Sequence, residues 1–410
     1  MGGTLYTILV IAYTIFGLLL YEMRWFVMID ELFAFAIAGW ACVLIAFHKI
    51  PQNKPLIIWL CIDAFYLLYS LFIHSNAPIA IFNDFIMESK PYMTFFGLMC
   101  LKPRLEQIHK SIIALSCIVC AASMTIIYSY YPHNREGTFV GELLSGAAFS
   151  SVAILIAALF YICCEQDNLK VRLTTIAIMA LGLLDPTTKF SGTAVCVIAI
   201  IFFVSKPLKI NTRYIILAGI TLIAIVWLSW DEFIFYFVED AEYNARPTLY
   251  TKAVEILNDY IPFGSGFASF ANAASATWYS SIYGKYEMDE IWGLAEGEAM
   301  FASDAYYPAL AQFGYVGIGL FIAFFVYIFR LTNTEYERFK DIKQYKCTLI
   351  IVSYILIEAT SSSFTNERCI LAMIILCMSL YKYRPKHKAI FSDMFGLKNI
   401  TIKPRAELQK

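Results

Sequence analysis

The sequence predicts an all-α, polytopic membrane helical bundle of about twelve spans, with one large loop that itself contains helices. The chain has 410 residues, of which 60% are hydrophobic and only 15% are charged, whereas soluble domains are roughly 25% charged. The apolar residues form blocks close to the roughly 20 residues that a helix needs to cross a bilayer. No segment alternates apolar and polar residues as a membrane β-strand would. These observations exclude a soluble globular protein.

The apolar blocks predict the order of the spans and the division of the chain. The four short or weak blocks (the first, fourth, seventh and last) leave ten or eleven spans as alternatives. Residues 1–232 would form an N-terminal bundle of about nine spans, 233–307 a large loop, 308–381 the C-terminal spans and 382–410 a basic tail. The predicted spans are 4–20, 25–47, 55–74, 85–101, 111–130, 139–164, 173–184, 186–205, 214–230, 308–329, 347–364 and 369–381.

Basic residues set the predicted orientation. Twenty-three of the 31 lysines and arginines fall on the side that holds both termini, and eight fall on the side of the large loop. The positive-inside rule therefore predicts that both termini are cytoplasmic and that the large loop faces outward. The first apolar block lacks a basic segment before it and a small-residue cleavage site, so we expect it to remain a span.

The sequence contains no motif that indicates redox, metal, nucleotide-phosphate or nucleic-acid chemistry. Cys117 and Cys120 form a CxxC, but they lie in an apolar block where this spacing stacks them on one helix face. The outward histidines, His74 and His133, have no further metal ligands beside them. There is no P-loop, no GxGxxG and no nucleic-acid motif. We therefore expect no cofactor, no metal and no nucleic-acid partner.

The large loop contains its own predicted helix. Apolar residues recur at helical spacing from Pro247 to Tyr260, which predicts a stripe that lies on the membrane or on the bundle. Asn244 is placed near a cap, and Pro247 lies in the first turn, where proline is tolerated. The sequence Pro-Phe-Gly-Ser-Gly at 262–266 ends this helix, and an aromatic, alanine-rich stretch follows at 267–286.

Cations on the outward side are unusual and therefore informative. Arg246 begins the loop helix, Lys252 follows within two turns, and Arg135 lies in a short outer loop. Arginine binds phosphate oxygens bidentately and stays charged at any biological pH, which favours a phosphate contact for Arg246. The alternative for Arg246 is a surface ion pair with an acidic residue in segment 239–242.

Lys189 lies at the outward start of the eighth predicted span. Asp185 fits the N-cap position and Pro186 the first helical position. The free N–H groups of this helix end, together with Lys189 and the hydroxyl of Ser191, suit a phosphate. The alternative is that Asp185 alone satisfies the helix end and that the Lys189 side chain extends to lipid headgroups.

The acidic candidates also leave two interpretations open. Asp304 precedes the tenth predicted span, where it would act as a general base or only complement the helix dipole. Asp63 and Glu358 fall within predicted spans. Ionisable groups are costly there, so each indicates a polar cavity or a structural ion pair.

The order of these motifs resembles the bacterial O-antigen polymerase and ligase family (Wzy and WaaL types). It begins with Thr-Lys-Phe-Ser-Gly-Thr at 188–193, then Arg-x-x-x-aromatic at Arg246 and Tyr250, then Pro-Phe-Gly-x-Gly at 262–266. It closes with Ser-Asp-x-x-Tyr-Pro at 303–308, which leads into a span.

The resemblance implies a glycosyltransferase-C-like bundle in the bacterial inner membrane. It would transfer a glycan from an undecaprenyl-diphosphate donor on the periplasmic face, without metal, with a chain-length regulator protein as a further partner. Arg246 and Asp304 are the implied catalytic residues. Residues implied to bind diphosphate or glycan are Lys189, Arg135, Lys252, Ser191, Tyr250 and Tyr306.

The resemblance also bears on the alternatives. Ligases of the family have a histidine near the position of Ser303 and Asp304, and this loop has none, which favours a polymerase over a ligase. A transporter that uses Asp63 and Glu358 is the alternative from another class. Transporters concentrate broken helices and polar residues at mid-membrane, whereas here the polar residues gather in one outer loop.

Overall fold

The structure is a computed structural model that describes residues 2–19, 28–50, 53–130, 146–184, 187–207 and 244–381. All regular secondary structure in these ranges is helical. The features predicted from sequence that lie outside them include His133, Arg135, the pair Asp185–Pro186, the ninth span at 214–230, the acidic segment 239–242 and the basic tail.

The described helices are numbered here in chain order. A π-helical turn, Ile15–Leu19, continues the first α-helix, and the 3₁₀ turns Ala180–Leu184 and Leu310–Phe313 follow the helices that end at Met179 and Ala309. The α-helices are α1 (Gly3–Thr14), α2 (Ile29–Ala46), α3 (Lys54–Ile73), α4 (Pro78–Leu101), α5 (Gln107–Tyr130), α6 (Gly146–Cys163), α7 (Leu169–Met179), α8 (Thr188–Phe203), α9 (Ala245–Asp259), α10 (Ala273–Thr277), α11 (Ser281–Lys285), α12 (Tyr306–Ala309), α13 (Gly314–Phe339), α14 (Ile342–Glu358) and α15 (Glu367–Leu380).

Four of the described helices are long and apolar enough to cross a membrane. They are Ile29–Ala46, Lys54–Ile73, Gln107–Ile126 and the continuous segment Tyr306–Phe339. Shorter apolar helices lie at Gly3–Leu19, Phe149–Cys163 and Thr188–Phe203. Helices therefore occupy eleven of the twelve predicted positions, and the count of twelve membrane crossings stays a prediction.

Several helix ends differ from the predicted span ends, including the end of α13 at Phe339, against the predicted 329. Helix α4 begins at Pro78, seven residues before the predicted start, because proline is well placed in a first turn. Helix α14 ends at Glu358, six residues before the predicted end. There the hydroxyl of Thr360 bonds to the carbonyl of Ile357, and such local side-chain bonds compete with a continuing helix.

The centre of the bundle is formed by α15 and α6, whose described side chains are almost all buried. Helix α4 packs against α2, α3 and α15, and its Lys90 is buried. The Lys90 ammonium contacts the carboxylates of Asp30 and Glu31 at the start of α2. Lys90, assigned from sequence to the outward side, is therefore a bundle residue whose burial is compensated by two opposite charges.

The segment 244–305 forms a compact layer over one end of the bundle, called the loop end below. The side-chain amide of Asn76, between α3 and α4, donates to the carbonyls of Ala268 and Trp278 at 2.8 and 2.9 Å. Gly264 and Gly314 both have positive φ and approach so closely that a Cβ on either would lie within 2.5 Å of the other's backbone nitrogen. These contacts fix the end of α9 beside the start of α13.

At the opposite end of the bundle, hydrogen bonds to the carboxylate of Asp167 connect neighbouring helices. This carboxylate accepts hydrogen bonds from Tyr161, Arg172 and Lys346 at 2.8 to 3.0 Å. Burial on its own would raise the pKa of Asp167, but these bonds hold it at about 2. The contacts join the segment between α6 and α7 to the start of α14.

Candidate functional site

Three basic side chains gather at the loop end around residues 359–366, the turn between α14 and α15. The Lys189 ammonium lies 3.0 Å from a carboxylate oxygen of Glu358 and 3.5 Å from the carbonyl of Ser361. Arg368 donates to the hydroxyl of Ser362 at 3.1 Å. Arg246 and Arg368 both lie close enough to Lys189 to interact with it electrostatically. We call Lys189, Arg246 and Arg368 the cation cluster.

Helix α8 brings Lys189 to the cluster by its first turn. Thr187 is the N-cap residue, and its hydroxyl accepts a hydrogen bond from the Phe190 amide. The prediction that Asp185 caps this helix is therefore wrong, because the side chain of Thr187 satisfies the helix end two residues later. Lys189 is buried against Glu358 and does not extend to solvent. Ser191 is half-buried.

Helix α9 brings Arg246 to the cluster, as the sequence pattern predicted. The helix begins at Ala245 with Asn244 at the N-cap position, and Leu249, Ala253 and Ile256 are buried beneath it. Arg246 forms an ion pair with Asp304 at 2.9 Å. The predicted catalytic arginine and the predicted base are thus in direct contact, although 58 residues separate them.

Two tyrosines attach these residues to the turn between α14 and α15. The Tyr250 hydroxyl donates to the carbonyl of Thr360 at 2.8 Å. Burial raises the pKa of Tyr250 to about 12, so it is a neutral donor at physiological pH. The backbone amide of Tyr306 donates to the carbonyl of Ala359 at 3.0 Å. The turn at 359–366 is therefore the common support of the cluster.

Tyr306 also reaches away from the cluster, into a cavity of about 330 Å³ between α3, α4 and α13. Its buried hydroxyl donates to a carboxyl oxygen of Glu88 at 3.2 Å. Asp63 and Glu88 line this mainly aromatic cavity, which differs from the polar cavity predicted around Asp63, whereas Glu358 forms the predicted structural ion pair. The aromatic residues of the lining are Trp59, Tyr66, Tyr92, Phe96, Phe267, Tyr306, Phe313, Phe321, Phe324 and Tyr327.

One predicted binding residue is not brought to the cluster. Lys252 pairs with Glu255 at 3.1 Å along α9, where Glu255 is largely exposed. Four aromatic residues of the loop, Trp278, Tyr279, Tyr283 and Trp292, are of the type that stacks on sugar rings. Tyr283 is fully buried in the core, whereas Trp292 is 64% exposed. Of these four, Trp292 and the half-buried Trp278 and Tyr279 offer ring surface to a ligand.

The sequence analysis did not identify Arg368 as a site residue, nor the turn at 359–366 that precedes its helix. The predicted span 347–364 covered most of this turn, because Phe364 is apolar. The run Thr-Ser-Ser-Ser at 360–363 followed by Asn366 and Glu367 is a helix-start signature. Asn366 does cap α15, by accepting from the Cys369 amide. This signature would have placed Arg368 in the first turn of a helix at the loop end.

The arrangement suits an anion with several oxygens. Three cations lie near a turn rich in hydroxyl groups, and each type of group bonds to phosphate oxygens. The cations are balanced by Glu358, Asp304 and Glu367, so an anion must compete with a carboxylate for its place. Across the described part of the chain, no group of three or more histidine, cysteine, aspartate or glutamate side chains is arranged to hold a metal ion.

The chain matches no protein-family model and no curated protein sequence. The chemistry of the site is therefore inferred from its own residues.

Proposed function

We propose that this protein is a polysaccharide repeat-unit polymerase of the bacterial inner membrane. It transfers a glycan from an undecaprenyl-diphosphate donor to a sugar hydroxyl of an incoming lipid-linked unit on the periplasmic face. The proposal includes a glycosyltransferase-C-like bundle of twelve spans with cytoplasmic termini and a chain-length regulator protein as partner. The observation that carries it is the cation cluster beside an aromatic cavity.

The cluster supplies the charge that departure of a diphosphate requires. When the bond between the anomeric carbon and the phosphate oxygen breaks, negative charge grows on the diphosphate. Arg246 binds it directly, and Lys189 and Arg368 add positive potential in a partly buried site, where such preorganised charge is most effective. In water the same charges would be strongly screened.

Asp304 is the base in this proposal. Its carboxylate is held by Arg246 in the unliganded protein. As the diphosphate takes the guanidinium, Asp304 is released to accept the proton of the acceptor hydroxyl, whose oxygen forms the new bond to the anomeric carbon. The proton thus ends on Asp304 and the electron pair of the broken bond on the diphosphate. The isoprenoid chain of the donor lies in the cavity that begins at Tyr306.

The test is elongation by the purified protein in lipid nanodiscs. The substrate is undecaprenyl-diphosphate-linked oligosaccharide from cells that lack this chain, and products are resolved by electrophoresis. We expect a ladder of repeat units without added metal or ion gradient. The variant Arg246→Ala should reduce its formation by about 100-fold or more, the usual effect of losing one transition-state donor. Lys252→Ala, which removes a nearby cation outside the cluster, is the matched control.

The outcomes separate the candidate activities. A ladder that persists in Arg246→Ala contradicts the proposed role of this residue. A wild-type protein that leaves single units unchanged but moves preformed polymer to lipid A core is a ligase. Movement of the lipid-linked unit across the bilayer without elongation would indicate a transporter. The pairing of Glu358 with Lys189 and Arg368 does not favour transport, because that carboxylate is already neutralised.

A further inference from the structure

The cavity between α3 and α13 contains two carboxyl groups that a hydrocarbon chain does not require. Asp63 accepts a hydrogen bond from the Ser89 hydroxyl at 2.7 Å, and Glu88 accepts one from Tyr306. Among the residues that the structure describes, neither carboxyl forms an ion pair. Lys90, the nearest basic residue in sequence, contacts Asp30 and Glu31 instead. A carboxylate in such surroundings is costly, so each group either holds a proton or, when a cation is bound, gives up that proton and meets the cation's charge.

The cavity walls offer what such a cation would need. Trp59 lies against both Tyr92 and Phe96, with ring centroids 6.3 and 5.9 Å apart, and Tyr92 meets Phe324 edge to face. All four rings line the cavity. Aromatic faces attract cations, most strongly where water is excluded. The volume of about 330 Å³ is within the range of small-molecule sites, roughly 300 to 1,000 Å³.

We propose that this cavity binds a lipophilic organic cation. Its apolar groups contact the aromatic walls, and its charge is met by Glu88 and Asp63. The ligand enters from the membrane, because Ile58 and Ala323 line the cavity and are also exposed on the outer surface of the bundle. The site goes beyond the proposed glycosyl transfer, and its occupant would compete with a donor chain for the same space.

The experiment measures equilibrium binding of tritiated tetraphenylphosphonium to the full-length protein in nanodiscs of neutral lipid. Empty nanodiscs define the partitioned fraction. We expect saturable binding of one cation per chain, displaced by unlabelled tetraphenylphosphonium. Tetraphenylborate, which has the same shape and the opposite charge, should not displace it. Equal displacement by the two ions overturns the proposal, because it would show that the apolar surface alone binds.

Variants locate the site. Glu88→Gln keeps the hydrogen-bonding shape and removes the charge, so the dissociation constant should rise at least about tenfold. Glu255→Gln, on the exposed face of α9, is the charge-matched control and should bind as the wild type does. Ala323→Trp fills the cavity from the membrane side and should abolish binding with both carboxyls intact. Binding that survives both Glu88→Gln and Ala323→Trp, or is absent from the wild type, overturns the proposal whatever the outcome of the elongation assay.

Discussion

Replacing Glu358 by glutamine tests whether the cation cluster depends on a buried carboxylate. Glu358 lies 3.0 Å from the Lys189 ammonium and 3.7 Å from the Arg368 guanidinium, and the Ser151 hydroxyl donates to its other oxygen at 3.0 Å. The side chains of all three charged residues are at most 10% exposed. Glutamine keeps the volume and removes the charge, which leaves buried positive charge without this partner. Breaking a buried pair in this way costs about 3 to 5 kcal/mol.

The assay is denaturant-induced unfolding of the detergent-solubilised protein, followed by tryptophan fluorescence. Glu255→Gln is the control, since Glu255 is 52% exposed and pairs with Lys252; such surface pairs contribute about 1 kcal/mol or less. Adding Lys189→Met to Glu358→Gln should restore part of the lost stability, because it removes one uncompensated cation. If Glu358→Gln unfolds within about 1 kcal/mol of the control, the buried pair does not support the cluster.

Three further predictions concern other parts of the chain. Lys252→Ala should leave the midpoint of unfolding almost unchanged, since its pair is exposed. Asp84→Ala should speed proteolysis of the 244–305 layer and destabilise by about 1 to 3 kcal/mol, because the buried Asp84 carboxylate accepts from the Ala268 amide at 2.7 Å. Asp167 has a folded pKa of about 2, below the roughly 3.9 of an unfolded aspartate. Its stabilisation should therefore be complete above about pH 4 and be lost as the pH falls towards 2; in Asp167→Asn this part of the pH dependence of the melting temperature should be absent.

The helices could be predicted from sequence because block length and hydrophobicity determine them locally. Two predicted helix ends that differ from the structure, the end of the eleventh span and the start of the eighth, depend on single side chains. Phe364 extended the eleventh predicted span on hydrophobicity alone, whereas the hydroxyl groups of the turn ended the helix at Glu358. The sequence prediction placed the cap at Asp185, whereas in the structure the Thr187 hydroxyl accepts from the Phe190 amide at the helix start. The Thr187 hydroxyl also lies 3.3 Å from the Ser150 hydroxyl on α6, a tertiary contact that the sequence pattern does not show.

The members of the candidate site were partly predictable, but their partners were not. Outward positive charge runs against the usual bias, and this identified Arg246 and Lys189. Their partners, Asp304 and Glu358, are 58 and 169 residues away, and charge alone does not choose among the acidic residues of the loop end. The predicted surface pairing of Arg246 with segment 239–242 lies outside the described residues. Among the described elements, the packing of α9 against α12 and the 3₁₀ turn Leu310–Phe313 brings Arg246 to Asp304.

The two ion pairs of the cluster differ in exposure, which indicates that one supports the structure and that the other can exchange its partner for an anion. Lys189 and Glu358 have side chains 9% and 8% exposed, whereas Arg246 and Asp304 are 22% and 37% exposed. Opening the buried pair would leave charges in a poorly solvated region, at a cost of several kcal/mol. The exposed pair is weak enough for an anion to replace its carboxylate. A diphosphate would therefore exchange with Asp304 at Arg246 and leave Lys189 in place. Because this exchange frees the carboxylate only when the anion is bound, the base would become available only with the donor in position.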